Sequence, residues 1–111
     1  FPFEWLRGVH CHVGSQGCST SLMVEGVGKV LEFGKRHLQN LRVLDVGGGL
    51  SVNYDGDLVT PTFEDYARKL RLDEILPPSV TRIYTEFGRA LVAKAGLALA
   101  RVLYMKHVAG R

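Results

Sequence analysis

The chain has 111 residues, 46% of them hydrophobic, and 14 Lys and Arg against 11 Asp and Glu give a net charge of +3. That composition excludes a disordered chain, and the scattered basic residues argue against a nucleic-acid binder, which gathers them into a stripe. No apolar run reaches the roughly 18 residues of a membrane-spanning helix, and Cys11 and Cys18, without a CxxC spacing, point to reduced thiols and a cytoplasmic location.

Trp5 to Val13 is expected as a strand in which Val9, Cys11 and Val13 alternate with His10 and His12. Gly14 to Thr20 is loop. Leu22 to Leu38 carries a helical stripe of Met23, Val27, Val30, Leu31 and Leu38. Gly26, Gly28 and Gly34 either weaken that helix, by about 1 kcal/mol each relative to alanine, or let it pack closely on a sheet. Leu41 to Val46 is a second strand of the kind found in parallel sheets. Leu50 to Pro61 is a long connection that turns at Tyr54-Asp55-Gly56-Asp57. Thr62 is an N-cap with Asp65 as its capping-box partner. Phe63, Tyr66, Ala67 and Leu70 form the buried face of the helix that follows, which Pro77-Pro78 ends. Val80 to Thr85 is a third strand, Arg89 to Ala95 a helix opening directly after Gly88, and Leu97 to Lys106 is β-like. The order β-α-β-α-β-α implies an α/β fold with a parallel sheet and right-handed crossovers.

Polar and glycine residues stand where each strand stops: His12-Val13-Gly14-Ser15-Gln16, Asp45-Val46-Gly47-Gly48-Gly49 and Glu86-Phe87-Gly88-Arg89. In barrels and open α/β sheets that rim binds ligands. Gly47, Gly48 and Gly49 read either as a tight turn or as a backbone cradle for an anion. They form neither GxGxxG nor a Walker loop. Arg89, in the first turn of a helix, favours the anion reading. Glu86 reads either as a partner for a neighbouring Arg or as a carboxylate facing a cationic group on a ligand. His12 reads as a satisfied core histidine, as a ring for stacking, or with His10 as an HxH metal pair. The metal reading needs further ligands on later strands. His37 falls in a helix and His107 near the terminus, so no metal is expected.

Taken in this order and at these intervals, the three motifs resemble the pyridoxal-phosphate-dependent decarboxylases of the alanine-racemase-like barrel, which include diaminopimelate, biosynthetic arginine and ornithine decarboxylases. The resemblance runs from about Gly8 to Lys106. It implies pyridoxal 5′-phosphate as cofactor, with His12 stacking on the pyridine ring and Ser15 binding the phosphate. It implies backbone N–H groups of Gly47, Gly48 and Gly49 on the same phosphate, and Glu86 facing the pyridine nitrogen. Gly88 and Arg89 match the end of a Glu-Pro-Gly-Arg motif that holds phosphate and, in diaminopimelate decarboxylases, also a substrate carboxylate. This chain departs from the motif at Phe87, where proline is usual, which puts the rigidity of the loop in question. Gln16 after Gly14-Ser15 resembles the diaminopimelate and arginine branches.

The resemblance further implies the C-terminal part of a (β/α)8 barrel, about three βα units, since a whole barrel takes roughly 250 residues. Residues 1–97 are then the partial cofactor-binding barrel and 98–111 the start of a C-terminal β domain, in a piece of a larger, homodimeric enzyme. No residue matches the lysine that carries the cofactor covalently, because Lys94 and Lys106 are in the wrong places. The 111 residues alone are therefore expected to be inactive. The implied activity is diaminopimelate decarboxylation in lysine biosynthesis, with small amino acids as ligands and neither nucleic acid nor membrane as partner. The alternatives are arginine or ornithine decarboxylation in polyamine synthesis, a non-catalytic cofactor-binding barrel, and a regulatory pseudo-enzyme.

Overall fold

The structure, a computed structural model, describes residues 4–108. Its element order is β1 (Gly8–His10), α1 (Thr20–His37), β2 (Val43–Asp45), α2 (Phe63–Leu70), α3 (Leu72–Ile75), β3 (Arg82–Tyr84) and α4 (Arg89–Val92). The three strands form one parallel sheet in the order β1-β2-β3. Three parallel strands alternating with helices match the expected α/β organisation. Sequential strand order with crossovers of one hand places successive helices on one face of the sheet, which is barrel-like winding rather than the two-faced winding of an open sheet.

The core lies on that face. Met23, Val27 and Leu31 of α1 and Tyr66 and Leu70 of α2 pack with Leu41, Leu44, Val46 and Leu50, all at most 4% exposed. Val9 and Val13 pack against this cluster from the first strand and its extension. Residues at alternate positions, Gly8, His10, Val43, Asp45, Arg82 and Tyr84, belong to the other face, which no helix covers.

Several boundaries differ from the sequence expectation, for physical reasons. The regular strands are three residues long rather than the expected Trp5–Val13, Leu41–Val46 and Val80–Thr85: before them the Arg7 carbonyl accepts from both Arg42 and Val43, and after them Gly47 leaves the extended form at φ +67°, although backbone hydrogen bonds still join the segments beyond the ladder. Helix α1 starts earlier than Leu22, because Ser19 caps it: its hydroxyl accepts the Leu22 N–H at 3.2 Å. The helix expected to run to Pro77 breaks at Arg71, which adopts φ 48° and ψ 46° and separates α2 from the single turn of α3. Phe63 and Ala67 are exposed in α2, so its buried face is Tyr66 and Leu70. The Thr62–Asp65 capping box forms as read: Thr62 Oγ1 accepts the Asp65 N–H and Asp65 Oδ2 accepts the Thr62 N–H, both at 3.0 Å.

Helix α4 spans four residues rather than seven, and 98–108 contains neither helix nor strand. Leu97, just before this stretch, and Leu99, Val102 and Tyr104 within it are at least 77% exposed. The β-like alternation finds no neighbouring edge among the described residues, and a lone extended segment leaves its backbone groups to solvent. The expected partition into 1–97 and 98–111 also reaches residues 1–3 and 109–111, which lie outside the described residues.

Two of the three helical glycines serve close packing. A Cβ on Gly26 would collide with Val13 Cγ2, and one on Gly34 would lie 2.9 Å from Val9 Cγ1, whereas Gly28 faces open space. Helix α1 therefore lies directly on the first strand, which fixes the position of the rim loop leaving it.

Candidate active site

Strand register builds the rim. His10, Asp45 and Tyr84 form one row across the sheet. Two residues further on, the three segments reach His12, Gly47 and Glu86. These remain side by side: the Glu86 N–H donates to the Gly47 carbonyl at 2.8 Å, and a Cβ on Gly47 would lie 3.0 Å from His12 Cα.

The glycines divide their tasks. Gly47 and Gly48 are buried. The Gly47 N–H donates to Asp45 Oδ1 at 2.9 Å, and the Gly48 N–H donates to His12 Nδ1 at 3.3 Å. An accepting Nδ1 carries no proton, so this contact assigns the hydrogen of a neutral His12 to Nε2 and holds the ring against the loop. Gly49 has φ +90°, and a Cβ there would run into the Gly14 carbonyl. Among the described residues its N–H has no acceptor.

A cleft of about 250 Å³ is lined by His12, Ser15, Gln16, Gly49, Leu50, Glu86, Phe87, Gly88, Arg89 and Ala90. It brings together six of the eight site residues expected from sequence, and Gly47 and Gly48, buried next to Gly49, do not line it. Sequence reasoning passed over two contributions. Gln16 clamps the first rim loop to the second through both ends of its amide: Nε2 donates to the Val52 carbonyl at 2.6 Å and Oε1 accepts the Val52 N–H at 2.9 Å. Phe87, at the edge of the cleft, packs its ring onto α2 against Phe63 and Tyr66. The first contact spans 36 residues, so no local pattern announces it.

Beneath the rim, His10 Nδ1 lies 3.3 Å from Asp45 Oδ2. One ligand atom each from His10, Asp45 and Glu86 falls within 4.8 Å of the other two. His10 is thus drawn to Asp45 rather than paired with His12. Behind the rim, burial pushes the Cys11 thiol up. The Tyr66 phenol is pushed up to about 12, first by burial and then by the Cys11 and Cys18 thiols. An adjoining cavity of about 320 Å³ shares Leu50 and Ala90 with the cleft, but its lining of Val59, Pro61, Phe63, Leu91, Val92 and neighbours holds Lys94 as its only charged side chain. The convergent charged groups are in the smaller cleft.

A guanidinium, a hydroxyl and a free backbone N–H in one cleft suit a phosphate, while a carboxylate in the same cleft suits a cationic ring nitrogen. The chain is similar to decarboxylases of known activity. The diaminopimelate decarboxylase of Pseudomonas aeruginosa is 37% identical over 103 residues, covering 90% of this chain and 24% of the relative. The crystal structure of diaminopimelate decarboxylase from Helicobacter pylori complexed with L-lysine superposes with a TM-score of 0.65 at 33% identity, covering 79% of this chain and 22% of that one. Lysine/ornithine decarboxylase from Vibrio vulnificus complexed with putrescine gives a TM-score of 0.57 at 32% identity, covering 77% and 24%. The chain spans about a quarter of the length of the curated relatives it matches. Among the described residues no helix is long and apolar enough to cross a membrane. Residues 5–93 match the family described as pyridoxal-dependent decarboxylase, pyridoxal binding domain, and the chain belongs to that family.

Proposed function

We propose that a full-length protein carrying this segment decarboxylates a basic or diamino amino acid in the manner of a diaminopimelate decarboxylase, with pyridoxal 5′-phosphate held in the rim cleft. The observation that supports this most is the convergence of Ser15, Gly49, Arg89 and Glu86 on one cleft of about 250 Å³. The residues fit the group. Its phosphate finds the Arg89 guanidinium, the Ser15 hydroxyl and the Gly49 N–H, and its ring finds the His12 imidazole and the Glu86 carboxylate. The missing side chain at Gly49 lets the second rim loop close onto the first, where a Cβ would run into the Gly14 carbonyl, and this keeps the Gly49 N–H in the same cleft as Ser15.

When bound, the cofactor supplies an electron-accepting ring that takes up the electron pair left as CO₂ departs. The chain's own residues prepare that ring. Glu86 favours a proton on the pyridine nitrogen by placing a negative charge beside it. His12, held by the Gly48 N–H, offers a flat face for stacking. Arg89 and the Gly49 N–H fix the phosphate, and Arg89 is also the residue proposed to take a substrate carboxylate. Gly47 and Gly48 act behind the cleft, because their N–H groups already have acceptors.

The test is CO₂ release by the full-length protein from diaminopimelate, lysine, ornithine and arginine in parallel. Fastest turnover of diaminopimelate is expected. The likeness to the Vibrio vulnificus lysine/ornithine enzyme makes lysine or ornithine the second reading, which preference for either amine would establish. No turnover of any of the four overturns the proposal. The 111 residues alone contain no match to the cofactor-bearing lysine, so they are expected to release no CO₂.

A further inference from the structure

Two residues beside Glu86, His10 and Asp45, have no role in the reading above. Asp45 accepts the Gly47 N–H through Oδ1 at 2.9 Å. Its other oxygen lies 3.3 Å from His10 Nδ1. The His10 and Asp45 donor atoms in turn lie within 4.8 Å of a Glu86 carboxylate oxygen. The Glu86 main chain closes the circuit by donating to the Gly47 carbonyl at 2.8 Å. His10, Asp45, Gly47 and Glu86, from three adjoining segments, thus form a ring of near neighbours in which the Glu86 carboxylate lies close to the His10–Asp45 pair without being bonded to it.

Within that ring the Glu86 side chain is the loose member. It is exposed and has no side-chain hydrogen bond among the described residues. Asp45 is the anchored member, with its side chain 21% exposed against 49% for His10. An imidazole held on one side by a fixed carboxylate is, in its protonated form with both ring N–H groups donating, a rigid donor for a second carboxylate, the arrangement by which an outer partner orients a functional group.

We propose that His10 and Asp45 are positioning residues for Glu86: Asp45, fixed by the glycine loop, orients the His10 ring, and the ring aims the Glu86 carboxylate at the cofactor's ring nitrogen. This rests on the assignment of Glu86 to that nitrogen. Asp45 therefore ties two functions together, since the same carboxylate braces the glycine loop and steers the acid.

The test compares two ligands on the full-length protein, pyridoxal phosphate and its carbon analogue with CH in place of the ring nitrogen. Covalent attachment and phosphate contacts are common to both, so the ratio of their affinities, read by fluorescence titration, isolates the contact at nitrogen. The wild-type protein is expected to prefer pyridoxal phosphate, and Glu86→Gln to abolish the preference. His10→Ala is expected to reduce the ratio about five- to tenfold, the worth of one hydrogen-bonded contact, while the carbon analogue binds within about twofold of wild type. His10→Gln, which restores a donor, is expected to recover part of the ratio. An unchanged ratio in His10→Ala, or equal loss of both affinities, overturns the inference while the assignment of Glu86 stands. A ratio that Glu86→Gln leaves untouched overturns both.

Discussion

The rings of Phe63 and Phe87 stand 4.9 Å apart at an interplanar angle of 50°, and they join the first turn of α2 to the rim loop that presents Glu86 and Arg89. Tyr66 meets the same Phe87 ring edge-on at 6.0 Å and 77°. Proline at this place would stiffen the loop through its fixed φ. Here packing supplies the restraint instead.

Truncating that ring should therefore loosen the rim. Phe87→Ala is expected to cost about 2 kcal/mol of stability, below the range for a fully buried Phe because Phe87 is only half-buried. It should also weaken cofactor binding. Phe87→Leu should lose less than about 1.5 kcal/mol. Denaturant unfolding and cofactor titration on the same samples check both.

Glu86 and Arg89 should separate by phenotype. Glu86→Gln keeps the shape and removes the charge, so turnover should fall far more than cofactor affinity. Arg89→Ala should chiefly weaken cofactor binding, by roughly 1.5–3 kcal/mol for each charge-assisted hydrogen bond lost. Parallel rate and binding measurements decide. Full turnover in Glu86→Gln would return that residue to a structural role.

The helical glycines should respond with opposite signs. Gly28→Ala meets nothing within 4 Å and should stabilise the protein by about 1 kcal/mol through helix propensity. Gly26→Ala drives a methyl into Val13 Cγ2 and should destabilise by about 1–3 kcal/mol, the usual cost of overpacking. Thermal melts of the two variants test this.

Much of this was legible where the signal is local, and little where it is not. The capping box needs only Thr62 and Asp65, three residues apart. The rim follows from polar and glycine residues at the ends of apolar runs, and register then sets His12, Gly47 and Glu86 abreast. The break at Arg71 was hidden because its left-handed backbone, φ 48°, carries no glycine to mark it. The regular strands are shorter than the apolar alternation because periodicity records which face a residue prefers, whereas a ladder ends where the backbone leaves the extended form, as at Gly47. The Gln16–Val52 clamp and the His10–Asp45 pair join residues more than thirty apart in sequence, beyond any window. The division of labour among the three glycines depended on which N–H groups find acceptors, a three-dimensional fact.

Tyr66 makes stability sensitive to alkali. Among the described residues its buried hydroxyl has no hydrogen-bond partner, and its pKa is pushed up to about 12. Above about pH 10 the unfolded chain releases this proton while the folded one retains it. Stability from this group is therefore complete below pH 10 and falls as pH rises towards 12. Tyr66→Phe should remove that slope and cost little near neutrality, because no hydrogen bond is lost. Unfolding curves between pH 9 and pH 12, wild type against variant, give the comparison.

Among the described residues the helices cover only one face of the sheet, so neighbouring positions on a strand answer to different selective pressures. Leu44 is fully buried under the helices, whereas Asp45, the next residue, belongs to the ring behind the cleft. Leu44→Ala should shift the unfolding midpoint by the cost of a core cavity, about 2–5 kcal/mol, and leave ligand selectivity alone. Asp45→Asn should do the opposite. Odd and even positions of one strand thus form two nearly independent libraries, one for engineering robustness and one for engineering chemistry.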